Sequence, residues 1–212
     1  MARKALLACG ILASLLYVGT DILAAMRYEG YSYTDQTVSE LFAIGSPTRP
    51  LAVSLFNVHG ALQIAFALGV WMSASGKRNL RITAGLLVGI GLVDVVAAFF
   101  PMHMRGTELT LTDTMHKVLT VVIVLVMLPA IGFGAAAFGK RFRLYSIATV
   151  VILLVSGAWA GLDAPRIEAN LPTPWVGVRE RISIYGYMLW VTVLAIALLH
   201  VPDRAAESSD SR

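Results

Sequence analysis

Six stretches of the sequence, about 5–26, 51–73, 82–101, 117–138, 144–162 and 183–201, are each apolar over a length that suits a membrane helix. A hydrocarbon layer about 30 Å thick needs roughly 20 such residues, and backbone in lipid must satisfy its own hydrogen bonds. Composition agrees with this reading: 57% hydrophobic and 14% charged residues in a chain of 212 leave too few charges for a water-soluble domain. The fold class expected is all-α, a polytopic membrane protein built as one six-helix transmembrane domain over 1–212. The longest connections, 27–50 and 163–182, are too short to form a second domain. The polar tail 203–212, "DRAAESSDSR", is expected to be disordered and cytoplasmic.

Basic residues orient the bundle, because Lys and Arg are held back from translocation. Arg3, Lys4, Lys77, Arg78, Arg81, Lys140, Arg141, Arg143, Arg204 and Arg212 fall on one side, ten against seven on the other, and most of them are tightly clustered. Both termini are therefore expected in the cytoplasm, with the chain in the plasma or cytoplasmic membrane. This topology accounts for the net charge of +4, and no basic stripe interleaved with aromatics suggests a nucleic-acid partner. The first span is longer than a signal-peptide core and reads as a retained helix. Cys9 is the only cysteine, which excludes an internal disulfide and a thiolate metal cluster.

The outward connections carry helix signals. Thr37 and Glu40 have capping-box spacing, with Gly45 and Pro47 as a stop, so a short interfacial helix is expected there. Thr173 and Pro174 read as the cap and first position of the last helix, and Trp175 as an interface anchor. Gly85 with Gly89, and Gly157 with Gly161, have the spacing of close helix contacts within the bundle.

Polar residues inside the spans carry the functional signal. Asp21, His59 and Asp94 lie about five, eight and seven residues from the outward ends of their spans, roughly 8–12 Å deep at 1.5 Å per residue. Asn57 and Ser156 share that layer. Asp113, His116 and Thr120, at i, i+3 and i+7, line one face at the mouth of the fourth helix, below His103. Each has an ordinary explanation alone: Asp21 pairing with an arginine, His59 bonding a carbonyl, Asp94 neutral or snorkelling. Two carboxylates and a histidine at one depth instead predict a shared polar pocket open to the outside.

"SELFAIGSPTRPLAVSLFNVHGAL", the acidic third span ending in "FFPMH", the "DTMH" opening the fourth helix and the "RERI" before the last span together resemble the DUF998 family of predicted six-helix membrane proteins. The resemblance covers about residues 10–200. It implies fold and membrane location, and brings no catalytic residues with it.

Three readings of the pocket are open. The favoured one is binding of a lipid headgroup or small polar ligand, with Asn57 in the pocket and Glu40, Arg179, Glu180 and Arg181 at its rim. There the arginines suit a phosphate, and Glu180 or Asp163 an amine. A second is a metal-dependent hydrolase acting on a lipid, with His59, His103, His116 and Asp113 as zinc ligands and His59, Asp94 and Asp21 as catalytic candidates; no compact motif such as HExxH supports it. The third is a small proton-coupled transporter relaying protons through Asp21, His59 and Asp94, although the inward half of every span is nearly free of polar residues.

Overall fold

A computed structural model describes residues 1–201, so the tail at 203–212 lies outside the described residues. Six long helices form the body: α1 (Ala2–Arg27), α2 (Arg49–Met72), α3 (Arg78–Ala97), α4 (Leu111–Ala136), α5 (Lys140–Gly161) and α7 (Val176–Leu199). All six are long and apolar enough to cross a membrane. A 3-10 helix, Val38–Phe42, follows α1, and a five-residue helix α6 (Ala164–Glu168) follows α5. The long helices pack as a ring in chain order, closed by α7 against α1. We call the end holding both described termini of the ring the terminal end, and the end with the connections 28–48, 98–110 and 162–175 the loop end.

Helix caps explain why two helices outrun their apolar stretches. Thr110 and Asp113 form a reciprocal capping box that starts α4 at Leu111, six residues before the apolar run. The last helix begins at Val176, because Trp175 takes a left-handed conformation (φ 66°) as its N-cap. Thr173 is not the cap: its hydroxyl donates to the Asp35 carbonyl at 2.8 Å and holds one connection against another. The capping box at Thr37 and Glu40 forms as expected, on the 3-10 helix. Gly45, at φ +96°, supplies the turn that ends this segment.

The terminal half is the packed core. Leu7, Phe66, Val70, Leu87, Trp190 and Leu194 are buried there, and the Trp190 indole N–H donates to Ser146 Oγ at 3.0 Å. Of the pairs with motif spacing only Gly157 makes a close approach, where an added Cβ would stand 3.2 Å from Ser183 Oγ, and the tightest contacts are at other glycines. A Cβ on Gly69 would stand 2.8 Å from the Leu7 backbone nitrogen, and one on Gly134 2.8 Å from the Trp190 ring, whereas Gly85 and Gly161 have nothing within 4 Å. The first of these contacts is backbone against backbone and cannot yield by a rotamer change. Gly69→Ala is therefore expected to cost about 1–3 kcal/mol of folding stability, with Gly85→Ala neutral or slightly stabilising. Thermal unfolding of both variants in one detergent checks the contrast.

The loop half is looser on one side. On α3 no residue beyond Gly91 is buried, and on α4 none between Asp113 and Ala130. α4 packs extensively against α3 but sparsely against α5, to which it is joined by only residues 137–139. Near the loop end Lys117 Nζ reaches across to Glu168 on α6 at 2.7 Å.

Candidate functional site

Asp21 and Arg181, both buried, form a forked ion pair between α1 and α7: Arg181 Nε and Nη2 each donate to a different Asp21 oxygen at 2.8 Å. Tyr33 and Tyr185 also donate to Asp21 Oδ2, at 2.9 and 2.5 Å. The remaining guanidinium donors go to the Tyr33 and Gln36 carbonyls and the Tyr31 hydroxyl, at 2.8, 3.0 and 2.7 Å. Every donor is used, so Asp21 and Arg181, expected as a catalytic candidate and a rim residue, tie the first connection to two helices.

Glu40 is likewise a tie and not a rim group. It is fully buried, and Arg105 Nε and Nη2 donate to its two oxygens at 2.5 and 2.9 Å. Arg105 also donates to Thr173 Oγ1 and the Asp35 carbonyl, so one guanidinium joins all three loop-end connections. Burial pushes the Glu40 carboxyl up, but Arg105, the Thr37 amide and Gln36 outweigh it and hold it below the ordinary glutamate value. Sequence reasoning missed Arg105, because an irregular connection has no periodicity to say which way a side chain points.

Arg179 donates to Asp163 Oδ2 at 2.5 Å and lies 5.0 Å over the Trp159 ring. Both residues line an open groove of about 460 Å³ with Arg166, Pro174 and Trp175. Asn57 is exposed on the outward stripe of α2 with Ser54, Val58, Ala61 and Leu68, so it does not share the interior with His59.

Among the expected metal ligands, Asp113 accepts from the His103 backbone N–H at 2.7 Å, and its other oxygen lies 2.9 Å from His103 Nδ1. His116 contacts the Phe100 carbonyl and Ser39 Oγ, at 3.2 and 3.3 Å. His59 Nδ1 bonds the Ala13 carbonyl on α1 at 3.0 Å. These residues do not come together as one set: among the described residues no three His, Cys, Asp or Glu side chains are grouped as a metal ion requires.

Asp94 differs from all of these carboxylates. It is half-buried in α3, and its side chain has no hydrogen bond or ion pair with any described residue. Its Cβ faces the backbone of α2 at Gly60, where an added Cβ would stand 3.9 Å away, next to His59 in the chain. Asp94 is within electrostatic reach of the Tyr17 and Tyr187 phenols. The Tyr17 ring meets His59 edge-on at 5.1 Å and Phe56 at 4.8 Å, and Tyr17 is also within reach of Glu180. Glu180 accepts the Val38 N–H at 2.6 Å through one oxygen only. Below them the buried Gln63 donates to the Tyr187 hydroxyl at 3.1 Å, leaving its own Oε1 without a partner. The groups with unused capacity thus come from α1, α2, α3 and α7, and most are acceptors.

A family model described as "Protein of unknown function (DUF998)" matches residues 11–197. No curated protein and no solved structure matches the chain.

Proposed function

This chain belongs to the DUF998 family, whose description names no activity, and we propose that it binds a lipid headgroup or small polar ligand in a crevice around Asp94 and His59 in the loop half of the bundle. One observation carries this reading: Asp94 is an ionisable side chain within a span that the protein leaves unpaired. A carboxyl in hydrocarbon is costly, and such groups normally face a partner or a wet cavity. Asp21, Glu40, Asp113 and Asp163 all have strong partners within the chain. Asp94 keeps its acceptors for something else. Tyr17 and His59 beside it add groups that donate or accept, enough to orient a polar head.

The test is chemical. A hydrophobic carbodiimide adds whole to a carboxylic acid in apolar surroundings and remains as an N-acylurea, visible as a mass increase on one peptide. In membranes Asp94 is expected to be modified before Asp21 or Asp113, and Asp94→Asn to remove that label. Modification that spares Asp94 would overturn the reading.

The crevice faces the outside if the basic clusters at 3–4, 77–81 and 140–143 are cytoplasmic. In a Cys9→Ser background, Thr107→Cys is expected to react with an impermeant thiol reagent in intact cells, and Ser75→Cys to be shielded. The reverse pattern would move the crevice to the inner leaflet.

A further inference from the structure

Resting on the ligand site just proposed, we infer that its ligand is a membrane amphiphile with an ammonium-bearing headgroup, which enters sideways between α4 and α5 and not through the loop end. Charge decides the headgroup. Arg105, Arg179 and Arg181, three arginines of the loop end, are bound to Glu40, Asp163 and Asp21, and Arg49 donates to the Phe42 carbonyl. None of the three ion-paired guanidiniums is free for a phosphate. The unused capacity is acidic: the Asp94 carboxyl and the second oxygen of Glu180. The aromatic rings of Tyr17 and Phe56, 4.8 Å apart, offer π faces that attract a cation but not an anion.

The route follows from what closes each direction. Over the loop end lie the Asp21–Arg181 fork, the Glu40–Arg105–Thr173 junction, the Asp113–His103 pair and the His116–Ser39 contact, built from buried or half-buried groups that satisfy one another. Opening that end would break several charge-assisted bonds at once. The α4–α5 seam has only the exposed Lys117–Glu168 pair above it, which is worth little. Apolar residues exposed on the two helices include Val118, Val121 and Leu125 on α4 and Val151 and Val155 on α5. An acyl chain fits such walls and leaves the head free to reach Asp94.

The experiment uses the full chain in phosphatidylglycerol vesicles, with the rate of carbodiimide labelling at Asp94 as the readout. The probes are phosphatidylcholine added to the bilayer and choline added to the water, since neither carries an N–H that could react with an activated carboxyl. Phosphatidylcholine is expected to slow labelling about tenfold, equivalent to roughly 1.4 kcal/mol of occupancy, with choline having little effect. Val121→Trp or Leu125→Trp, which narrow the seam, should abolish that protection, and Ala61→Trp on the outward face of α2 should leave it intact. Protection by choline alone would place the source in the water and overturn the entry route. No protection by either would overturn the ammonium class, and protection unaffected by both seam variants would overturn the α4–α5 passage. In those three outcomes Asp94 is still labelled and the site itself stands. Failure to label Asp94 in bare phosphatidylglycerol vesicles would remove the site and this inference together.

Discussion

Arg181→Gln is expected to lower folding stability by about 3–5 kcal/mol, the usual cost of removing one partner from a buried ion pair. The loss is larger than one charge suggests. The guanidinium serves both oxygens of a fully buried Asp21, two backbone carbonyls and a tyrosine hydroxyl, and lies 3.6 Å over the Tyr33 ring. Without it Asp21 keeps only two phenol donors, the Tyr33 carbonyl loses its side-chain donor, and the Gln36 carbonyl keeps only the Tyr31 hydroxyl. Arg181→Lys is expected to recover little, because an ammonium cannot reproduce the planar fork. Asp21→Asn with Arg181→Gln should cost less than the sum of the single changes, since the pair acts as a unit. Arg179→Gln, which breaks a more accessible pair with Asp163, should cost about 1 kcal/mol or less. Thermal unfolding in detergent checks all four. A stable Arg181→Gln protein that no longer binds ligand would return this arginine to the site.

These residues show which parts of the molecule can be read from its sequence. The six spans were legible because hydrophobic length is a local property, and the Thr37–Glu40 cap because it spans only four residues. The start of the last helix was misread, because the chain turns into the left-handed region at Trp175. The polar layer was legible in depth but not in azimuth. Counting residues along a span places Asp21, His59 and Asp94 at one level, yet Asp21 faces α7 while Asp94 faces α2. Asn57 and His59, two residues apart and so about 200° apart on a helix, cannot share a face although they share a depth. The partner of Asp21 lies 160 residues away, and no local pattern distinguishes Arg181 from Arg179. Glycine spacing suggested Gly85, Gly89, Gly157 and Gly161, of which only Gly157 meets a neighbour closely, while the structure also uses Gly69 and Gly134, because a motif says how a helix could pack and not which face meets a neighbour.

Asp94→Leu is expected to do the opposite of Arg181→Gln: to stabilise the fold while removing the site. Asp94 has no partner to orphan, so its replacement leaves no unsatisfied group behind. What it removes is the cost of keeping an ionisable side chain within a span. Insertion scales put that cost at about 2.5–3.5 kcal/mol for Asp at the middle of a helix, and less where the group is near an interface or partly wetted. A gain of about 1–2 kcal/mol in thermal unfolding is therefore expected, with carbodiimide labelling and phosphatidylcholine protection both lost. Asp94→Asn should lie between, keeping the shape and an acceptor but not the charge. The combination matters more than either effect alone, because a residue kept for packing loses stability when truncated, whereas one kept for binding against the interest of the fold gains it. If Asp94→Leu instead destabilises the protein by more than about 1 kcal/mol, Asp94 is a structural element. The open acceptors of Tyr17, Gln63 and Glu180 would then have to be explained without a ligand.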